Sequence, residues 1–366
     1  MSRPARTRAL VVAALAPLVL VACSPAPPRP APSAPADTPA SRSQRALDDL
    51  VADPGAPGCT AAVGERGAVV WQGASGLADL ESRAPLTGES PVDMGSVAKQ
   101  FTATALLLLE HAGRLSLDDR LADHLGGLPD WADEVTLRQL VQHTSGVPEY
   151  ILLLQERSIG LEMESTREEA LESLREVEEL TFEPGSGWAY SNSNYLLLGL
   201  VVEEVAGVPL GEHLQSALFG PLDLAVRPVV GSAGLHSYRR SAAGDAFELA
   251  DWHWDATGAA GLQATPSTLV RWADTYRTGA PTGPWLNERR TADAAPGAPE
   301  GARYGAGVFL LPDGWLAHDG EWAGFNTVFA VTADRQRALA ITCLRQDLDP
   351  WDTAQQLGAD WFGAQR

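Results

Sequence analysis

Lysine is almost missing from this chain. Of 27 basic side chains in 366 residues, Lys99 alone is a lysine and the rest are arginines. A guanidinium keeps its proton in a protein, whereas a desolvated amine can lose one. Amine base chemistry is therefore confined to one position. Cysteine is scarce too. Cys23, Cys59 and Cys343 are too few for a disulfide scaffold and too widely spaced for a zinc site. His253 lies among acids, but no HExxH pattern or clustered ligand spacing accompanies it, so no metal or other cofactor is expected. The net charge of −20 lacks the clustered basic residues that phosphate binding needs, which argues against nucleic acid as a partner.

What is present begins with an export signal over residues 1–22. Arg3, Arg6 and Arg8 form a basic segment, and Ala9 to Ala22 is an apolar run too short for an ordinary spanning helix. It ends Leu20-Val21-Ala22-Cys23, similar to a bacterial lipobox. That similarity implies cleavage before Cys23 and a lipid on its thiol, hence anchoring on the extracytoplasmic face of a membrane. Residues 23–45 are rich in Pro, Ala and Ser and read as a semi-extended tether. Residues 46–366 form the folded domain. Export permits a Cys59–Cys343 disulfide, with two free buried thiols as the alternative.

Within the domain, residues 58–64 and 68–75 read as strands around the Glu65-Arg66-Gly67 turn. Ser96 to Leu109 reads as a helix that is apolar on nearly all sides and hence buried. Helical patterns follow from Leu137, in the acidic stretch 162–180, from Tyr195 to a stop at Gly207, and from Thr268. The end is strand-rich, over 305–311, 315–319, 327–331 and 338–344, before an amphipathic helix from Asp352 to Phe362. Strands at both ends around a helical middle imply an α+β fold: one antiparallel sheet from both chain ends, flanked by helices, with a mostly helical inserted subdomain.

Three short motifs carry chemistry. Ser96 and Lys99 stand three residues apart at the head of the apolar helix, so their side chains share a face. A serine hydroxyl needs a base within reach, and a buried Lys99 amine can be that base. The structural alternative is a capping Ser96 with Lys99 reaching solvent. A glycine-rich turn then leads to Tyr190-Ser191-Asn192 before the next apolar helix, offering a phenol to relay a proton and an amide to clamp a substrate amide. Third is His318-Asp319-Gly320-Glu321, where a strand glycine can mark close approach of a ligand.

Ser-x-x-Lys, Tyr-x-Asn and His-x-Gly in this order resemble the serine β-lactamase and penicillin-binding-protein superfamily, in the branch of class C β-lactamases, DD-carboxypeptidases, D-aminopeptidases and esterases. Leu140 to Gly146 and Gly261 to Thr265 also match segments common in that branch. The resemblance implies a β-lactamase-like fold and an acyl-enzyme on Ser96, with Lys99 and Tyr190 sharing acid and base work. It also implies a substrate site of Asn192, His318, Gly320 and Glu321, in which the Ser96 and Glu321 N–H groups form an oxyanion hole. Asp319 departs from the pattern, because carboxylate-binding relatives carry Thr or Ser there and an acid repels a carboxylate. The expected activity is hydrolysis of a small-molecule or peptide amide or an ester, with DD-peptidase, D-aminopeptidase or β-lactamase as alternatives. An inactive envelope binding protein is the reading from another class.

Overall fold

The computed structural model describes residues 37–229 and 235–363. The signal segment and Cys23 lie outside them. Its centre is an eight-stranded antiparallel sheet built from strands near both chain ends. In chain order these are β1 (Cys59–Glu65), β2 (Ala68–Ser75), β3 (Ala295–Pro296), β4 (Arg303–Tyr304), β5 (Phe309–Leu310), β6 (Leu316–Trp322), β7 (Phe325–Val331) and β8 (Arg337–Cys343). The spatial order is β3-β4-β5-β6-β7-β8-β1-β2, so β1 pairs with the last strand of the chain.

The period-2 alternation of β8 decides what covers each face. Leu339, Ile341 and Cys343 pack under two helices, α1 (Pro39–Val51) and α5 (Trp351–Phe362). Ala338 and Ala340 face the opposite way, into the core shared with α4 (Pro266–Ala273) and the helical insert. The insert contains α2 (Lys99–His111) and α3 (Asn192–Ala206), which ends at Gly207 with φ +77°. α2 is buried continuously from Lys99 to Leu107, as its all-round apolar surface requires.

Four expectations shift. The domain begins earlier than residue 46. Thr38 and Ser41 form a capping box, Pro39 occupies the first turn of α1, and Trp361 donates to Ser43 across the α1–α5 contact. A Pro/Ala/Ser composition read as tether thus includes a helix start, because proline is tolerated there. β6 runs on through Gly320 to Trp322, and two short strands, β3 and β4, extend the sheet edge. The strand expected over 305–311 shortens to β5. Finally, Ser96 does not open an α-helix. It lies in a 3₁₀ turn, Gly95–Ala98, that passes into α2 at Lys99. Cys59 and Cys343 are opposite one another in the β1–β8 register and form a disulfide of 2.05 Å.

Candidate active site

The turn that carries Ser96 sits where it does because two glycines let backbone meet backbone. A Cβ on Gly320 of β6 would lie 2.1 Å from the Met94 carbonyl oxygen and 3.1 Å from the Ser96 nitrogen. A Cβ on Gly95 would lie 2.9 Å from the Gly320 carbonyl carbon, and Gly95 has φ +54°. Asp93 braces the turn from behind, its Oδ1 accepting the Gly95 N–H at 2.8 Å. Burial pushes the Asp93 carboxyl up to about 7, against the opposing pull of that N–H. Among the described residues, no backbone carbonyl outside the helices and strands accepts the Ser96 N–H.

A 3₁₀ turn places residues i and i+3 almost in register, so the departure from an α-helix strengthens the Ser96–Lys99 relation. Lys99 Nζ lies 2.9 Å from Ser96 Oγ, 2.7 Å from Asn192 Oδ1 and 2.9 Å from the Ala259 carbonyl oxygen. The last two groups can only accept. They take two hydrogens of the amine, and its remaining tetrahedral direction faces Ser96. An ammonium fills that direction with a hydrogen, whereas a neutral amine fills it with a lone pair that can receive the serine proton. Burial lowers the Lys99 amine to about 7, while Glu149 and Asp319 oppose the shift. Ser96 itself is only half-buried, so its hydroxyl is reachable while the Lys99 amine is not exposed.

Tyr190 completes the group. The Lys99 nitrogen lies 4.9 Å from the Tyr190 ring centroid. The phenol oxygen is buried beside Ser96 without a hydrogen bond of good geometry. Burial holds its proton well above the ordinary tyrosine range, with Ser96 opposing, so the resting phenol is neutral.

Asn192 owes its orientation to a residue the motifs do not mark. Glu149 Oε2 accepts the Asn192 backbone N–H at 2.6 Å and its side-chain Nδ2 at 3.1 Å, which turns Oδ1 toward Lys99. Burial raises the Glu149 carboxyl, and the N–H donors of Asn192 and Ile151 and the charge of Lys99 pull it down. Glu149 stands three residues beyond the family-like stretch Leu140 to Gly146, and no motif pointed to it. Ala259 acts through its carbonyl and leaves no side-chain signal.

His318 is buried, with both ring nitrogens bonded inside the protein. Nδ1 donates to the carbonyl of Asp319 at 2.5 Å, so Nε2 accepts from the Tyr304 hydroxyl at 2.9 Å. Burial lowers the imidazole to about 4, with Asp319 opposing and Lys99 adding to the shift. The ring is therefore neutral. Tyr304 is a lone aromatic in a two-residue strand and could not be singled out from the sequence. Asp319 and Glu321 alternate outward on β6 and are exposed, whereas Gly320 faces the Ser96 turn. His253 is exposed on a short strand beside Glu164, remote in its contacts from these groups.

A serine on a tight turn against a strand, one buried amine in contact with it and a buried phenol beside them are the arrangement of the serine β-lactamase and penicillin-binding-protein superfamily. The Beta-lactamase family profile matches residues 44–359, and the chain belongs to that family. Among curated proteins it is 30% identical over 162 residues to penicillin-binding protein 4* of Bacillus subtilis (strain 168), covering 44% of this chain and 36% of that one. It is 30% identical over 219 residues to D-aminopeptidase of Brucella anthropi, covering 59% of this chain and 42% of that one. The chain thus matches less than half the length of either relative. Two solved structures are covered almost whole. The D-stereospecific amidohydrolase from Streptomyces sp. superposes with a TM-score of 0.74 at 25% identity, over 89% of this chain and 99% of the other. The D-amino acid amidase from Ochrobactrum anthropi SV3, complexed with L-phenylalanine amide, gives 0.72 at 25% identity, over 87% and 97%.

Proposed function

We propose that the chain is a serine hydrolase that forms an acyl-enzyme on Ser96 and cleaves an amide, peptide or ester bond, lipid-anchored through Cys23 outside the cytoplasm. The observation that carries the reading is the 2.9 Å contact between Ser96 Oγ and the buried Lys99 amine, whose other two partners only accept. Neutral Lys99 takes the Ser96 proton as Oγ bonds to the substrate carbonyl carbon. The negative oxygen that forms faces the Ser96 N–H and the Glu321 N–H on β6, donors of a kind worth about 2.7–4 kcal/mol each. When the intermediate collapses, the leaving nitrogen or oxygen takes a proton through neutral Tyr190, which recovers one from Lys99. Water then attacks the ester on Ser96 by the reverse proton path and frees the acid.

Charge narrows the substrate. Lys99 is committed to Ser96, the His318 ring is neutral, and Glu149 and Asp319 are acids. A substrate carboxylate meets no free cation in this set, which favours esters and amides that are neutral or carry a protonated amine. D-Ala-D-Ala peptides and β-lactams rank lower. The D-aminopeptidase and D-amino acid amidase relatives make D-aminoacyl amides the first amides to try. The Cys59–Cys343 disulfide accords with an oxidising compartment.

The test is a panel of p-nitrophenyl esters, D-phenylalanine amide, a D-alanyl-D-alanine peptide and nitrocefin, with mass spectrometry after a fluorophosphonate probe. Ester or amide turnover and an adduct on Ser96 are expected. No turnover and no adduct would sink the reading in favour of a binding protein. Radiolabelled palmitate incorporated by wild type and lost in Cys23→Ala tests the anchor.

A further inference from the structure

His143 takes no part in the chemistry above, yet it is fully buried beneath it. Its ring centroid lies 4.3 Å from that of Tyr190, 4.7 Å from Tyr304 and 5.2 Å from Tyr195. Packing alone would be served better by an apolar side chain. Instead the site holds an imidazole whose Nε2 has no hydrogen-bond partner among the described residues, on a backbone with φ +58°. A buried unpaired polar atom and a left-handed non-glycine residue are both unfavourable, and such features collect where geometry serves function.

The other nitrogen supplies the reason. Nδ1 faces the backbone N–H of Ser191 at 3.2 Å and the side-chain Nδ2 of Asn194 at 2.9 Å. Both are donors, so Nδ1 is the acceptor and the ring proton sits on Nε2. The Ser191 N–H belongs to the peptide that joins Tyr190 to Ser191, one residue ahead of Asn192. Holding that peptide sets where the Tyr190 phenol and the Asn192 amide stand. Asn194 is held in turn, its Oδ1 accepting from Ser145 at 2.7 Å.

We propose that His143 is a positioning residue for the reaction, its Nδ1 fixing the Tyr190–Asn192 turn against Ser96 and Lys99. The inference rests on the proposed roles of Tyr190 and Asn192. It does not require His143 to touch substrate.

Steady-state kinetics on the best substrate of the panel, with melting temperatures, would test it in three variants. His143→Leu fills the space without an acceptor, His143→Asn can return an oxygen near the Nδ1 position, and Asn194→Ala removes one donor without touching the ring. The expected result is a fall in kcat of about 10²-fold for His143→Leu with KM within threefold. His143→Asn should recover at least a tenth of wild-type kcat, and Asn194→Ala should lose about tenfold in kcat. Activity of His143→Leu within threefold of wild type, a loss in KM instead of kcat, or His143→Asn no better than His143→Leu would overturn the proposal. If His143→Leu does not fold, Asn194→Ala decides, and kcat within threefold of wild type overturns it. An inert wild type with no adduct on Ser96 would instead be a failure of the proposed function, before any variant is compared.

Discussion

Asn192 Oδ1 stands 2.7 Å from Lys99 Nζ because the other end of the same amide is tied to Glu149. The amide can present its oxygen to Lys99 only while its nitrogen has an acceptor elsewhere. Glu149 is that acceptor, and its charge also favours the ammonium form of Lys99. One buried acid therefore bears on both the geometry and the proton affinity of the Lys99 amine.

Substituting Glu149→Gln separates these effects. The loss of its charge lowers the Lys99 pKa, so the acid limb of the kcat/KM profile moves to lower pH. An Asn192 amide held less firmly costs between about tenfold and 10²-fold in kcat. An acid limb that moves upward or stays in place would show that Glu149 is not felt by Lys99.

In wild type the acid limb should fall near pH 7. Lys99 must be neutral to receive the Ser96 proton, and its pKa is about 7, so acylation is lost as pH falls through that value. The same depression has a cost in stability. Folding binds the amine less protonated than the unfolded chain does between about 7 and the ordinary lysine value of 10.5, so this group's contribution to stability rises with pH across that window. Acylation rates by stopped flow, and melting temperatures across the same range, check the two halves.

Lys99→Arg keeps a cation and removes the base. A guanidinium does not lose its proton, so kcat should drop by about 10²–10⁴-fold and the pH limb near 7 should vanish. A variant that kept the limb would assign it to another group.

Gly320→Ala tests the strand contact. The added methyl would meet the Met94 carbonyl at 2.1 Å, and backbone cannot yield as a flexible side chain can. Destabilisation of about 1–3 kcal/mol is expected from overpacking. Moving β6 away from the Ser96 turn should also lower kcat by about 10²–10³-fold, the effect of losing an oxyanion donor. Chemical denaturation and kcat on the folded fraction separate the two.

Replacing Cys59 and Cys343 together with alanine should cost about 2–5 kcal/mol of stability. The pair ties β1 to β8 across a sequence separation of 284. The sulfurs lie in the core under α1 and α5 and make no contact with the Ser96 group, so activity per folded molecule should hold. Urea midpoints and specific activity check this.

Much of the site was legible from the chain alone, because it rests on short-range relations. Ser96 and Lys99 are one turn apart, Tyr190 and Asn192 bracket a single residue, and the lone lysine needed no fold to be noticed. The antiparallel sheet and helical insert also followed from local pattern. The rest depends on segments that meet only in the folded chain. Glu149 reaches Asn192, and Ala259 reaches Lys99, across loops that carry no period. His143 and Tyr304 matter through which atom of a neighbour they face. Whether His318 offers a charge depended on the Tyr304 hydroxyl and the Asp319 carbonyl that occupy its two nitrogens. Sequence by itself determined which groups could react. Only the tertiary structure decided their protonation and direction, because burial and hydrogen-bond partners come from residues distant in the chain.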